Sequence, residues 1–283
     1  MKHLLKIALF VLGFFAVARF CKIQTDSFTI ARISSSLTYN PTWDVPPLSP
    51  EETADLKKTL DQPYFYLSKG AQAFVFASQD GQYVIKFFRH HHMSAPFWLK
   101  HLPFKWARQS ALKKKSKLAK DFSSYKIAYD RFKNQTGLLF LHLNKTSDHY
   151  PTLDLVDKLG IHHPIPLDQY EFLIQKRASL VYPALETMIQ NKDIAQAKEA
   201  LSGLVHLLAD RMHQGIFDKD PDLNTNFGLI GTQPIQIDFG RYKTRAPGFD
   251  RQEIIRITDH LHQWLMVRSP ELDEHLRHTI NSL

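Results

Sequence analysis

The spacing of apolar positions changes several times along this chain, and each change predicts a different element. Ile7 to Ala18 is an apolar run of twelve residues, bounded by Lys2 and Lys6 before it and by Arg19 and Lys22 after it. Residues 24–61 are punctuated by Ser34-Ser35-Ser36, Asn40-Pro41 and Pro46-Pro47 and read as a linker, with one helix over Pro50–Thr59 that carries acids in its first turn. From Tyr64 to Phe88 apolar and polar residues alternate with the period of strands, and Asp80-Gly81 predicts a two-residue hairpin turn. Leu118, Phe122, Tyr125, Tyr129 and Phe132 then recur at spacings of four, three, four and three, one buried stripe on a helix over about 115–133. Strand-like runs follow near 138–143, 153–159 and 171–178. A further helix, capped by Asp193, presents Ile194, Ala197, Leu201, Leu204, Val205, Leu208 and Met212 on a broad apolar face and stops at Gly215.

Composition narrows the class. With 283 residues, 43% of them hydrophobic, the chain buries a real core, which excludes a disordered or low-complexity protein. The formal charge of +8 is concentrated between Lys100 and Lys133 and points to an anionic partner. In segment 97–120, Phe97, Trp98, Phe104 and Trp106 alternate with Lys100, Lys105, Arg108 and Lys113-Lys114-Lys115, a mixture that suits an anionic membrane surface or a solvated basic loop. A single cysteine, Cys21, rules out an intramolecular disulfide. Twelve apolar residues fall short of the roughly 20 of a spanning helix and within the roughly 7 to 15 of a signal peptide, and Ala16-Val17-Ala18 has the small-x-small pattern of a cleavage site. The expectation is membrane association through this segment, as a short anchor or a cleaved signal. His90-His91-His92 cannot converge on one metal from a strand end and are expected at the surface.

Candidate chemistry concentrates in residues 215–240. Asp218, Asp220 and Asp222 alternate, Asn226 opens the apolar run Phe227-Gly228-Leu229-Ile230, and Ile235-Gln236-Ile237 delivers Asp238 into a turn with Gly240. A calcium loop would need a glycine after its third ligand and a glutamate at its twelfth position; both are missing. A solvated acidic loop is the plain alternative. Asn226 and Asp238, twelve residues apart, suit a hairpin that joins an amide and a carboxylate oxygen, donors that Mg²⁺ accepts alongside phosphate oxygens and water. Upstream, Gly70 stands in a hairpin and Val84-Ile85-Lys86 places a lysine on the following strand.

Taken in order, Gly70, Lys86, Asp121, Asp220, Asn226 and Asp238 resemble the protein-kinase-like superfamily over about Tyr64 to Arg245. The resemblance implies an α+β, two-lobed fold: an N-lobe with an antiparallel sheet (63–178) and a short, mostly helical C-lobe (179–283). These would follow an anchor or signal segment (1–20) and a linker with a lead-in helix (21–62). Only some forty residues follow Asp238 and no Ala-Pro-Glu is present, so the layout is closer to small-molecule and lipopolysaccharide-core sugar kinases than to protein kinases. The composite Gly-Ile-x-Asp-x-Asp-Pro, Asn-Phe-Gly and Ile-Asp-x-Gly also resembles kinase-like proteins of chlamydia-related bacteria, a likeness that implies a fold and not a substrate.

What the resemblance implies about the site is specific. Gly70, Val75, Lys86, Gln175 and Arg177 would bind the nucleotide, with Lys86 on the α and β phosphates. Asp121 would pair with Lys86, because no glutamate occurs between Glu52 and Glu171. Asn226 and Asp238 would hold the metal, and the cofactors would be ATP and Mg²⁺. Asp220 is the preferred base, but it precedes Asn226 by six positions where the family pattern has five, so Asp218 and Asp222 stay open. The expected function is phosphoryl transfer to a hydroxyl of a small molecule, sugar or lipid, with no nucleic-acid partner. The competing expectation is a pseudokinase, a nucleotide-binding or inactive scaffold. The phosphoryl acceptor is not legible.

Overall fold

The computed structural model describes residues 2–90 and 104–283 and divides the chain into two compact units. The first comprises residues 1–111 and 142–172; the second comprises 112–141 and 173–283. The fold is α+β.

In the first unit the alternation seen in the sequence becomes a sheet. Strands β1 (Tyr64–Lys69), β2 (Ala73–Ser78) and β3 (Tyr83–Phe88) are antiparallel neighbours. Beyond β1 come two strands from later in the chain, numbered here in chain order after β4 (Leu138–His142) of the second unit. β5 (Thr152–Val156) lies parallel to β1, and β6 (His162–Pro166) is antiparallel to β5. The expected two-residue turn at Asp80-Gly81 is a four-residue connection, Gln79–Gln82, in which Asp80 Oδ1 accepts from the Ser78 hydroxyl and the Gln82 amide. One face of β2 and β3 carries Phe74, Phe76, Ile85 and Phe87, all fully buried. The other face carries Val75 and Lys86, which are cross-strand partners and so point the same way.

The lead-in covers the aromatic face. Phe28 packs edge-on against Phe74 and Phe76, with ring centroids 5.3 and 5.2 Å away. Asp26 pairs with Lys69 at 3.0 Å and Lys158 at 2.9 Å. Helix α3 (Pro50–Leu60), after α1 (Lys2–Gln24) and the single turn α2 (Ile30–Ile33), opens with a capping box between Ser49 and Glu52. His90 corrects the surface expectation for its triplet. It is 1% exposed, and its Nε2 lies 2.9 Å from Glu171 Oε2, whose other oxygen accepts from the Ser35 hydroxyl at 2.6 Å. Burial works to raise the Glu171 carboxyl, but His90, Ser35 and Lys145 together hold it below its ordinary value. His91 and His92 lie outside the described residues.

The N-terminal expectation is also corrected. No helix among the described residues is long and apolar enough to cross a membrane. Helix α1 has 23 residues, but its apolar stretch of twelve covers about 18 Å at 1.5 Å per residue, against about 30 Å of hydrocarbon. Segment 97–103 lies outside the described residues, whereas Lys105–Lys120 continues into the next helix as its N-terminal half.

That helix, α4 (Lys105–Arg131), brings the stripe Leu118, Phe122, Tyr125, Tyr129 to the core of the second unit; the single turn α5 (Lys133–Thr136) and β4 follow. β4 pairs with β7 (Phe172–Lys176). A three-stranded sheet has the order β11 (Gln233–Gln236), β10 (Phe227–Ile230), β8 (Ser179–Leu180), and β9 (Ile216–Asp218) pairs with β12 (Tyr242–Thr244). Helices α6 (Val181–Gln190), α7 (Ile194–His213), α8 (Arg251–Arg268) and α9 (Pro270–Ser282) complete the unit. Asp193 stands at the N-cap of α7 but its side chain makes no capping bond. Gly215 ends α7 at φ +64°, and a Cβ there would meet Arg245 O at 2.4 Å.

Candidate active site

Strands β10 and β11 form a hairpin that carries Asn226 at one end and Asp238 at the other. The carbonyl of Asn226 accepts from the amides of Ile237 at 2.8 Å and Asp238 at 3.2 Å. Two residues twelve apart in sequence are thereby fixed side by side through the backbone. Asp238 Oδ1 accepts from the Gly240 amide at 3.1 Å, which closes the turn beyond it. Gly228 belongs to the same device: a Cβ there would meet the Ser179 carbonyl and Ala178 Cβ, each at 2.8 Å, so only glycine lets β8 lie against β10.

The acids before Asn226 separate into three environments. Asp218 is 3% exposed, and burial raises its carboxyl above the ordinary range. Its Oδ2 accepts from Gln236 Nε2 and lies 3.6 Å from Arg211, and its Oδ1 accepts from the Asp220 amide at 3.0 Å. Asp220 is exposed. Its carbonyl accepts from Asn226 Nδ2 at 2.7 Å, and its carboxylate lies 3.4 Å from Arg241. Asp222 folds its own loop, accepting from the Asn224 amide at 3.0 Å and the Thr225 hydroxyl at 2.8 Å.

Beneath the loop lies a buried polar network. Gln236 Oε1 accepts from Arg211 at 2.8 Å and from the Tyr242 hydroxyl at 2.6 Å, while its Nε2 donates to Asp218 and to the Asp238 carbonyl. All four hydrogen-bonding positions of one side-chain amide are thus used to tie the Asp218 and Asp238 segments together. Neither Gln236, Arg211 nor Tyr242 was expected at the site. Their signal was present in the sequence: Gln236 sits between two isoleucines in a strand, and Arg211 stands three residues after Leu208 on the apolar stripe of α7.

Ser124 adds a clamp from α4, donating to the Phe239 carbonyl and accepting from the Tyr242 amide at 2.6 Å. Asp121, on the same helix face, is 6% exposed and is raised to about 6, first by burial and further by Asp238; Lys117 and Arg241 oppose the shift.

The other expected residues occupy these places. Gly70 lies in the β1–β2 turn, its amide donating to the Ala73 carbonyl at 2.8 Å and its carbonyl accepting from Arg89 at 2.6 Å. Val75 and Lys86 face the same side of the first unit's sheet. Gln175 is fully buried, and its side chain donates to the Thr136 carbonyl at 2.6 Å; Arg177 is exposed just after β7. Among the described residues no group of three or more His, Cys, Asp or Glu is placed to hold a metal. A cation at Asp238 would therefore draw on the Asn226 amide and on phosphate oxygens.

A cleft of about 770 Å³ adjoins the loop, with Asp220 and Asp222 on one side and His260 and Trp264 of α8 with Tyr182 of α6 on the other. Its size lies in the range of small-molecule sites.

The chain is similar, at low identity, to several solved structures. One is the bifunctional kinase-methyltransferase WbdD, 15% identical over 75% of this chain and 42% of that one, with a TM-score of 0.38. Another is WaaP in complex with acyl carrier protein, 11% identical over 83% of this chain and 98% of that one, TM-score 0.33. A third is APH(2")-IIa in a ternary complex with streptomycin and ATP, 13% identical over 81% and 88%, TM-score 0.26. The chain spans less than half the length of the WbdD chain it matches. No family model and no curated protein matches it. The reading of the site rests on its own geometry.

Proposed function

We propose that the chain is an ATP- and Mg²⁺-dependent phosphotransferase acting on a hydroxyl of a small molecule, sugar or lipid. The observation that supports this most is the double backbone bond from Ile237 and Asp238 to the Asn226 carbonyl, together with the Asn226 side chain on the Asp220 carbonyl. It joins an amide, a carboxylate and an exposed acid in one small region, the set that positioning and charge neutralisation in phosphoryl transfer require. Asn226 and Asp238 would hold Mg²⁺, which neutralises developing charge on the phosphates when bound. Lys86 would offset phosphate charge, with Gly70, Val75 and the backbone near Gln175 and Arg177 lining the nucleotide. Asp220 would orient the acceptor and take its proton as the acceptor oxygen bonds to the γ-phosphorus and the bond from that phosphorus to the bridging oxygen breaks. The cleft beside Asp220 and Asp222 would receive the acceptor.

A second reading, a nucleotide-binding scaffold without turnover, is favoured by Arg241, which already engages the Asp220 carboxylate. Thermal shift of the full chain with ATP, with and without Mg²⁺, separates the readings. The enzyme reading expects a Mg²⁺-dependent shift that Lys86→Ala and Asp238→Ala lose. Asp220→Asn should keep the shift and lose γ-phosphate transfer. No Mg²⁺-dependent shift in wild type sinks the proposal, and a shift without turnover establishes the scaffold.

A further inference from the structure

Asp121 carries a feature that its expected pairing with Lys86 does not explain. Its Oδ2 is shut off from solvent and has no hydrogen-bond partner among the described residues. The helix face it shares is held against the turn after Asp238 by three contacts. Ser124 Oγ donates to the Phe239 carbonyl, the Tyr242 amide donates to Ser124 Oγ, and the Tyr125 ring meets Phe239 edge-on with centroids 5.6 Å apart. Residues 121, 124 and 125 stand at i, i+3 and i+4, so Asp121 points where Ser124 and Tyr125 do. The charge of Asp238 acts on it, as do those of Lys117 and Arg241.

A buried carboxylate oxygen without a partner is costly, and a second carboxylate within electrostatic reach adds repulsion. A divalent cation between them relieves both. Two carboxylates and one amide, completed by phosphate oxygens and water, form a donor set of the kind Mg²⁺ takes.

We infer that Asp121 is a further ligand, direct or through one water, of the cation that Asn226 and Asp238 would hold. The inference rests on the phosphotransferase reading and moves Asp121 from the lysine to the metal. It accounts for a carboxylate as short as aspartate at a position where the family resemblance calls for a glutamate that reaches a lysine.

The test uses Mn²⁺ as the probe, titrated into the full chain by electron paramagnetic resonance, with and without ADP. Asp121→Asn should lower Mn²⁺ affinity about 10- to 100-fold, the range seen when groups that support a metal site are removed. Asp121→Glu should restore part of it, and Lys86→Ala should leave Mn²⁺ binding without ADP unchanged. Wild-type affinity in Asp121→Asn, with Asp238→Asn reduced, overturns the inference and leaves the phosphotransferase reading standing. Equal loss in Lys86→Ala and Asp121→Asn without ADP returns Asp121 to the lysine and also overturns it. A wild type that binds neither Mn²⁺ nor its ADP complex removes the broader reading and this one with it. Melting curves check each variant, and Asp121→Ser is titrated in place of Asp121→Asn if the latter does not fold.

Discussion

The hairpin from Asn226 to Asp238 and the acid loop before it lie next to each other in the second unit, yet they are held by different means. In the hairpin, main-chain hydrogen bonds set the spacing, and Asn226, Phe227, Gly228 and Leu229 are buried. In the loop, side chains bond back to nearby amides: Asp218 to Asp220, and Asp222 to Asn224. A ladder between strands tolerates no slip, because one residue turns every side chain to the other face. A loop folded by Asx turns absorbs an added residue. This is where the chain departs by one position from the kinase-like pattern.

The largest test of that contrast is a pair of substitutions. Asp220→Asn should lower phosphoryl transfer by about 10²- to 10⁴-fold, as loss of a general base does. Asp222→Asn, which removes only a loop-folding contact, should stay within about tenfold; steady-state kinetics with the reverse ranking would move the base to Asp222. Next comes the network under both regions. Arg211→Met should destabilise the chain by about 3–5 kcal/mol in urea denaturation by leaving Asp218 buried without its cation, and Arg211→Met with Asp218→Leu should recover much of that loss. Gly215→Ala should cost about 1–3 kcal/mol, because alanine resists the positive φ and its methyl meets the Arg245 carbonyl. The smallest effect calibrates the rest at the surface. Asp26, held at about 2 by Lys158 and Lys69 against an ordinary value of 3.8, adds stability that is fully present above the ordinary value and fades as pH falls through about 2. Asp26→Asn should therefore lower stability at neutral pH by at most about 1 kcal/mol, with the difference from wild type shrinking as pH falls through about 2 and lost only below it.

Much of this was legible where periodicity is strong. The α4 stripe, the α7 face ending at Gly215 and the β10–β11 hairpin follow from apolar spacing alone, since each buries one face. The Asn226–Asp238 pairing was legible because a hairpin with a short turn fixes which residues meet. The roles of Gln236, Arg211 and Ser124 were not, because a polar side chain on an apolar stripe shows burial without naming its partner. His90 was misread for a similar reason: strand-end alternation excludes a shared metal, but does not exclude a buried carboxylate such as Glu171. The twelve-residue N-terminal run is too short for a crossing on its length alone, and the expectation of an anchor or signal there fails because no helix among the described residues is long and apolar enough to cross a membrane.

The packing of Phe28 on Phe74 and Phe76 bears on how shortened versions of this protein should be made. A cut just before β1, where turn-rich sequence invites a boundary, would remove the phenylalanine and the Ser35 hydroxyl that satisfies Glu171. The fragment would bare an aromatic sheet face and tend to stick to itself. Versions that begin before Asp26 keep both contacts and the ion pairs to Lys69 and Lys158. For this fold, the sheet's first layer of protection lies nearly forty residues ahead of its first strand.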